Sequence, residues 1–267
     1  MDRALRHRCT PRAVQGPAIR RSRVHGFTLL EMAIAVSIIG VLGMAVSSAY
    51  FGIADVRARA RGQAEAEVAR QSVRAFMLRN KRLPCPDLST GGSGAREGLA
   101  GSCPAGAQIG WLPYESLGLA PPEPRHRMRY AVARAGTGAD LVTPLTDVAD
   151  GLDLDGVTRL RRTLMAAANQ TPASNRPYLT GTGGPANPES CSGNVVANPA
   201  FAVIAPVNDR DDSGSQYPGF DGINQSMAAA NTLCIAAPDR RMDATYDDVV
   251  VAESATALLG WLAAQTR

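Results

Sequence analysis

The stretch "HGFTLLEMAIAVSIIGVLGMAVSSAY", from His25 to Tyr50, decides how the N-terminal part of this chain is organised. From Met32 to Ala54 the chain runs for 23 residues without a charge or a proline. An α-helix rises about 1.5 Å per residue, so a run of this length can cross a hydrocarbon core of about 30 Å. We therefore predict a membrane-spanning helical segment over residues 27–54.

The positive charge of the chain is concentrated ahead of this run. Residues 1–26 contain seven arginines and one aspartate and carry +6, whereas the whole chain carries +4, which leaves −2 for the remainder. By the positive-inside rule, residues 1–26 are expected in the cytoplasm and the residues after 55 on the other side of the membrane. The balance of −2 also predicts that nucleic acid is not a partner.

One carboxylate, Glu31, stands at the beginning of the apolar run. A charge in a spanning segment costs about 2.5–3.5 kcal/mol at the bilayer centre and less near an end, so its presence needs a reason. A local reason is available, because Thr28-Leu29-Leu30-Glu31 matches the T-x-x-E capping box and an acid in the first turn suits the helix dipole. A second reason is a cationic partner, since a paired buried charge is far less costly than an isolated one.

The stretch "GFTLLEMAIAVSIIGVLG", Gly26 to Gly43, resembles the processing site of type IV prepilins and type II secretion pseudopilins. The resemblance implies that residues 1–26 are a basic leader, removed by a prepilin peptidase that cuts after Gly26 and methylates the new amino terminus of Phe27. It also implies that Glu31 pairs with the new amine of a neighbouring subunit during assembly. The implied partners are the peptidase, other pilin or pseudopilin subunits, an inner-membrane assembly platform and membrane lipid.

The helix is predicted to continue beyond the apolar run, through an amphipathic half over residues 55–82. This half is rich in Ala, Arg, Glu and Gln, which favour helices, and Pro84 and Pro86 forbid its continuation. We expect one helix from about Thr28 to Asn80. Its predicted apolar stripe consists of Ala66, Ala69, Val73, Phe76 and Met77.

Residues 83–267 are predicted to form a globular head outside the cytoplasm. Alternating or continuous apolar runs at 127–135, 200–207 and 247–252 predict strands, and residues 156–170 and 253–265 predict helices. The fold class is therefore α+β, with a long N-terminal helix packed on a small antiparallel sheet, as in pilin-like proteins.

Four cysteines follow the apolar run, and each lies in a stretch rich in Pro, Gly, Ser or Asn. An even number in this setting predicts two disulfides and an oxidising compartment, although four buried free thiols are the alternative. Three pairings are possible, and we favour the pairing of sequence neighbours. The candidates are Cys85 with Cys103 and Cys191 with Cys234.

Catalytic and metal-binding signals are weak. His126 is the histidine that remains beyond residue 26, the chain lacks a G-x-S-x-G elbow, and "GGSGAREG" lacks the lysine of a phosphate-binding loop. We therefore predict no enzymatic activity. An acidic loop is a candidate calcium site through hard oxygen ligands, although solvated turn acids are the favoured explanation. Its carboxylates are Asp209, Asp211, Asp212 and Asp221.

Together these features predict a structural subunit, a minor pilin or a pseudopilin, of a type IV pilus or a type II secretion system. The expected location is the inner membrane, crossed once, with the head in the periplasm or on a surface filament. Two alternatives stay open: a filament-tip adhesin or DNA-uptake module on the same scaffold, and a simple membrane-anchored periplasmic enzyme.

Overall fold

A 52-residue helix, α1 (Leu29–Asn80), begins the described part of the chain in the computed structural model. The structure describes residues 27–99, 102–136, 138–143, 155–181, 190–210, 219–226 and 232–265. The predicted single helix from about Thr28 to Asn80 is confirmed. The helix ends where Lys81 takes a left-handed conformation, with φ of 56°, and donates its amide to the Met77 carbonyl at 2.8 Å.

Among the described residues, no helix combines the length and the apolar character that crossing a bilayer requires. The membrane-spanning character predicted for residues 27–54 is therefore not confirmed.

The chain divides into two compact units between Phe51 and Gly52, which is a point inside α1. In the first unit, the side chains described from Phe27 to Met44 are exposed throughout. They include large apolar groups, among them Leu29 at 92% and Val41 at 69% exposure. The described residues therefore leave the apolar surface between Phe27 and Met44 uncovered.

The second unit is built on a four-stranded antiparallel sheet with the strand order β1-β2-β6-β8. In register, Tyr130 lies opposite Val203, and Val203 lies opposite Val251. Three of these strands fall in the apolar runs that predicted them, and the α+β class is confirmed. The strand bounds are Ile109–Trp111 (β1), Arg129–Val132 (β2), Phe201–Ala205 (β6) and Val249–Glu253 (β8).

Successive side chains of a strand point to opposite faces of a sheet. In this sheet the side chains on both faces are buried. One face, with Tyr130, Phe201 and Val203, belongs to the same apolar cluster as the stripe of α1. All five predicted stripe residues are buried, at 0–4% exposure. The other face, with Ile204 and Val250, belongs to a second cluster around Trp111, Phe220 and Tyr246.

Shorter elements surround the sheet. Helices α3 (Gly156–Ala168) and α5 (Ala255–Gln265) add Leu160, Leu164, Leu258 and Leu262 to the core shared with α1. The predicted helix at 156–170 thus has one buried face. The other elements are α2 (Tyr114–Leu117), α4 (Ile223–Ser226), the pair β3 (Arg134–Ala135) with β4 (Ala139–Asp140), and the parallel pair β5 (Tyr178–Leu179) with β7 (Cys234–Ile235).

A buried ion pair ties the second half of α1 to the sheet. The Arg74 guanidinium binds the Glu253 carboxylate at the end of β8, with Nε 2.9 and 3.0 Å from the two oxygens. The Glu253 side chain is 2% exposed. Arg74 also lies over the Trp261 ring, 5.2 Å from its centroid, so one arginine connects α1, β8 and α5.

Candidate functional site

The start of α1 is held by a capping box between Thr28 and Glu31. The Glu31 carboxylate accepts the backbone amide of Thr28 at 2.8 Å and its hydroxyl at 3.0 Å. In return, the Glu31 amide donates to the Thr28 hydroxyl oxygen at 3.2 Å. The local explanation for Glu31 is therefore realised in the structure. Glu31 caps its own helix, because its carboxylate accepts a backbone amide that would otherwise lack a partner.

The carboxylate of Glu31 is nevertheless accessible, because both residues of the capping box are exposed. Phe27, which the resemblance makes the first residue of the processed chain, is 79% exposed. Gly26 and the rest of the predicted leader lie outside the described residues. The site thus presents an exposed acid four residues after an exposed Phe27. Both residues lie at the N-terminal end of an exposed apolar helix.

Comparison with known families agrees with this geometry. Residues 21–47 match the model of the prokaryotic N-terminal methylation motif, which is the prepilin-type cleavage and methylation signal of type IV pilins. The match includes Gly26, Phe27 and Glu31 and covers 27 of the 267 residues. No curated protein and no solved structure matches the chain. The chain therefore carries a type IV pilin-like signal, and the comparisons find no counterpart for its head.

The four cysteines after α1 form two disulfides in the structure. Cys85 is joined to Cys103 across a Cα–Cα distance of 6.0 Å, and Cys191 is joined to Cys234 across 5.8 Å. This is the pairing of sequence neighbours that we favoured. The first bond closes the Gly-rich loop that follows α1. The second anchors residue 191 to β7, where the Tyr178 hydroxyl of β5 also donates to the Cys191 carbonyl at 3.0 Å.

The structure describes two of the four acids predicted to bind calcium, Asp209 and Asp221. Asp209 is exposed just beyond β6, and Asp211 and Asp212 lie outside the described residues. Asp221 is fully buried. It lies beside Asp247 and Asp248, and the three carboxylates each place an oxygen within 4.8 Å of the others. We call these three residues the aspartate cluster.

Several hydrogen bonds hold the aspartate cluster in place. Asp221 accepts the backbone amides of Arg210 at 2.9 Å and Asp247 at 2.8 Å. Asp247 accepts the Arg210 guanidinium at 2.6 Å and the backbone and side-chain amides of Asn208 at 3.0 and 2.8 Å. Arg210 also binds Asp55 of α1 at 2.9 Å, so it links the cluster to the helix.

Asp248 is a member of the aspartate cluster with one carboxylate oxygen that lacks a hydrogen-bond donor among the described residues. Its Oδ2 accepts the Asp221 amide at 3.1 Å and the Asn224 side-chain amide at 2.9 Å. Its Oδ1 is buried and accepts no hydrogen bond from any described residue. Burial raises the pKa of Asp248 well above its ordinary value, and the charges of Asp221 and Asp247 raise it further, against the lowering effect of its hydrogen bonds.

Sequence reasoning missed Asp247 and Asp248, because "DDVVVA" was assigned as a whole to a strand. The strand β8 begins at Val249, and the two acids precede it. Two adjacent acids directly before an apolar strand were the available signal. Their approach to Asp221, which is 26 and 27 residues away in sequence, depends on tertiary folding.

His126 lines a groove of about 960 Å³ beside the second half of α1. Charges of both signs surround it there, from Arg61, Glu65, Arg125 and Asp209. Among the described residues, the His126 ring forms no hydrogen bond to a nucleophile or an acid.

Proposed function

We propose that this chain is a minor pilin or pseudopilin subunit, of a type IV pilus or a type II secretion system, with no catalytic activity of its own. In this role it is held in the inner membrane by its N-terminal segment, with the head outside the cytoplasm. It then enters a filament after its leader has been removed. The observation that carries the proposal is the match of residues 21–47 to the methylation motif, in which Glu31 lies at the exposed start of α1.

The exposed apolar surface between Phe27 and Met44 supports this role. Soluble monomers rarely leave so large an apolar surface open, because burial of such surface contributes about 25 cal/mol per Å². Lipid can cover it before assembly and neighbouring helices can cover it afterwards. The two disulfides support a head that folds in an oxidising compartment.

Processing is the first step to test. Intact-mass analysis of the protein from cells is expected to show a chain that begins at Phe27 and carries one N-methyl group. In cells without prepilin peptidase, the same analysis is expected to show the uncut precursor. A mature protein that still begins upstream of Phe27 in wild-type cells would contradict the proposal.

The role of Glu31 can be separated from helix capping by two substitutions. Glu31→Ala removes both the charge and the capping group, whereas Glu31→Gln removes the charge and keeps a side chain that can cap. If Glu31 pairs with the cationic amine of a neighbour, both variants are processed normally and neither enters filaments. Normal incorporation of Glu31→Gln would show that capping is sufficient and would refute the charge pair.

Deletion of the gene then distinguishes the two systems. Loss of surface filaments assigns the subunit to a pilus, and loss of protein secretion assigns it to a secretion system. Glu67→Gln is a matched control for the Glu31 variants, because Glu67 is a partly exposed acid in the second half of α1, with its side chain 41% accessible.

A further inference from the structure

The aspartate cluster places three buried carboxylates close together in the head. Asp221, Asp247 and Asp248 are 0–2% exposed, and their closest oxygens lie within 4.8 Å of one another. Like charges at this distance repel strongly away from water, so three ionised aspartates need positive charge among them. The Arg210 guanidinium supplies part of that charge through Asp247.

A second, independent observation lies on Asp248. This side chain is 2% exposed, and its Oδ1 has no donor among the described residues. A buried carboxylate oxygen without a donor loses the hydrogen bonds that water would provide. The oxygen therefore lacks a positive partner inside the cluster, and a bound cation is one such partner.

We propose that the aspartate cluster is a binding site for a hard divalent cation, with Ca²⁺ as the preferred ion. Oxygen ligands lie 2.3–2.6 Å from Ca²⁺, so two ligands on opposite sides of one ion are about 4.6–5.2 Å apart. The three carboxylate oxygens lie within 4.8 Å of one another, so they can reach one such ion, and three carboxylates exceed the one or two through which Mg²⁺ is usually bound. Water and backbone carbonyls would complete the six to eight ligands that Ca²⁺ takes.

The site would join segments that are distant in sequence. Asp221 precedes α4, while Asp247 and Asp248 directly precede β8. Arg210 and Asn208 follow β6, and Arg210 reaches Asp55 of α1. A cation here would therefore stabilise the junction of the sheet, α4 and α1. The inference rests on the head alone and does not depend on the proposed role in a filament.

The test uses the full chain, purified in detergent and freed of metal with a chelator. Equilibrium dialysis with ⁴⁵Ca²⁺ is expected to show one ion bound per chain. At a calcium concentration of 100 times Kd, the Tm of the head is expected to rise by about 5–10 °C. Mg²⁺ at the same concentration is expected to give a smaller shift, and an equal shift would overturn the preference for Ca²⁺.

Asp248→Asn removes one ligand charge with almost no change of shape. This variant is expected to bind calcium about 100-fold more weakly or not at all, and its metal-free Tm is expected to be no lower than that of the wild type. Asp209→Asn, an exposed acid outside the cluster, is the matched control and is expected to bind like the wild type. Wild-type protein that binds no calcium at about 10 mM, or an Asp248→Asn variant that binds normally, would overturn the site. In the first case, a proton on Asp248 would compensate the cluster instead.

Discussion

The two halves of α1 have the same backbone conformation but differ in where their apolar side chains lie. From Leu29 to Met44 the helix exposes apolar side chains on every side, and none of the residues that the structure describes covers them. From Ala66 to Met77 it shows a narrow apolar stripe, which is buried in the core of the head. The apolar side chains of the first half are therefore suited to burial by other molecules. Those of the second half are buried by the chain itself.

The polar groups of the two halves differ in the same way. Glu31 is exposed and bonds only to Thr28, three residues away, among the contacts that the structure describes. Glu253 is buried and bonds to Arg74, 179 residues away. The comparison indicates that substitutions in the first half change assembly and spare the head, while those in the second half change folding.

The strongest test of this comparison places the same charge on three valines of α1. Val73 is fully buried, Val68 is 52% exposed and Val36 is 63% exposed. Val73→Asp is expected to destabilise the head by about 4 kcal/mol, because it buries an unpaired charge, and to lower its Tm by about 10 °C. The measurement is thermal unfolding of the detergent-solubilised chain by near-ultraviolet circular dichroism.

The two exposed valines provide the controls for this test. Val68→Asp is expected to change the Tm by less than about 2 °C. Val36→Asp is expected to leave the Tm unchanged and to abolish filament incorporation, because it places a charge on the apolar surface that neighbours must cover. A Val36→Asp variant that assembles normally would remove the distinction between the halves.

A smaller effect is expected at the ion pair that ties α1 to the sheet. Glu253→Gln leaves the Arg74 guanidinium without its buried counter-charge, and we expect a loss of about 3 kcal/mol in the free energy of unfolding. Glu67→Gln, which removes a partly exposed acid that pairs with Arg70 at 2.5 Å, is expected to cost less than about 1 kcal/mol. Urea denaturation of the two variants measures both values. Equal losses would show that the Arg74–Glu253 pair contributes no more than a surface pair.

Most of the fold could be predicted from local patterns in the sequence. The extent of α1 follows from an uncharged run, good helix formers and a stop at Pro84, and its stripe follows from 3.6-residue periodicity. The strands β2, β6 and β8 follow from apolar runs. These signals are visible because each depends on residues close together in the chain.

The features that the sequence did not reveal depend on distant contacts. The order of the strands, the parallel pair of β5 and β7, and the approach of Asp221 to Asp247 and Asp248 are set by tertiary packing. The two adjacent acids of "DDVVVA" are a local signal, but their burial beside Asp221 depends on contacts that are distant in sequence. The pairing of the cysteines was left open by the sequence for the same reason, since three pairings were compatible with it.

Two buried tyrosines of the head offer a finer test of how its polar groups are satisfied. The Tyr114 hydroxyl accepts the Met128 amide at 2.8 Å, whereas the Tyr130 hydroxyl has no hydrogen-bond partner among the described residues. Tyr114→Phe is expected to cost about 1 kcal/mol at neutral pH, because it leaves that amide without an acceptor. Tyr130→Phe is expected to be neutral within about 0.5 kcal/mol. A loss at Tyr130 equal to that at Tyr114 would contradict this assignment of partners.

The same pair predicts the alkaline stability of the head. Burial raises the pKa of Tyr114 and of Tyr130 above the ordinary value. The folded chain therefore keeps these protons while the unfolded chain loses them, so stability falls as the pH rises above about 10. Each Phe variant is expected to flatten this fall between about pH 10 and 11.5, as measured by urea denaturation at several pH values. An unchanged slope in both variants would mean that neither hydroxyl carries the linkage.

The smallest expected effect is at the cap of α1, where the comparison predicts a purely local change. Thr28→Ala removes the hydroxyl from the capping box and is expected to destabilise the first turn by about 0.5 kcal/mol, because the Glu31 amide loses its acceptor. Thr28→Ser keeps the hydroxyl and is the matched control. Hydrogen exchange of the Leu30 and Glu31 amides should accelerate about two-fold in Thr28→Ala alone, while the Tm of the head stays the same in both variants. A lower Tm in Thr28→Ala would show that the start of α1 is coupled to the head, and the two halves could then no longer be treated as independent.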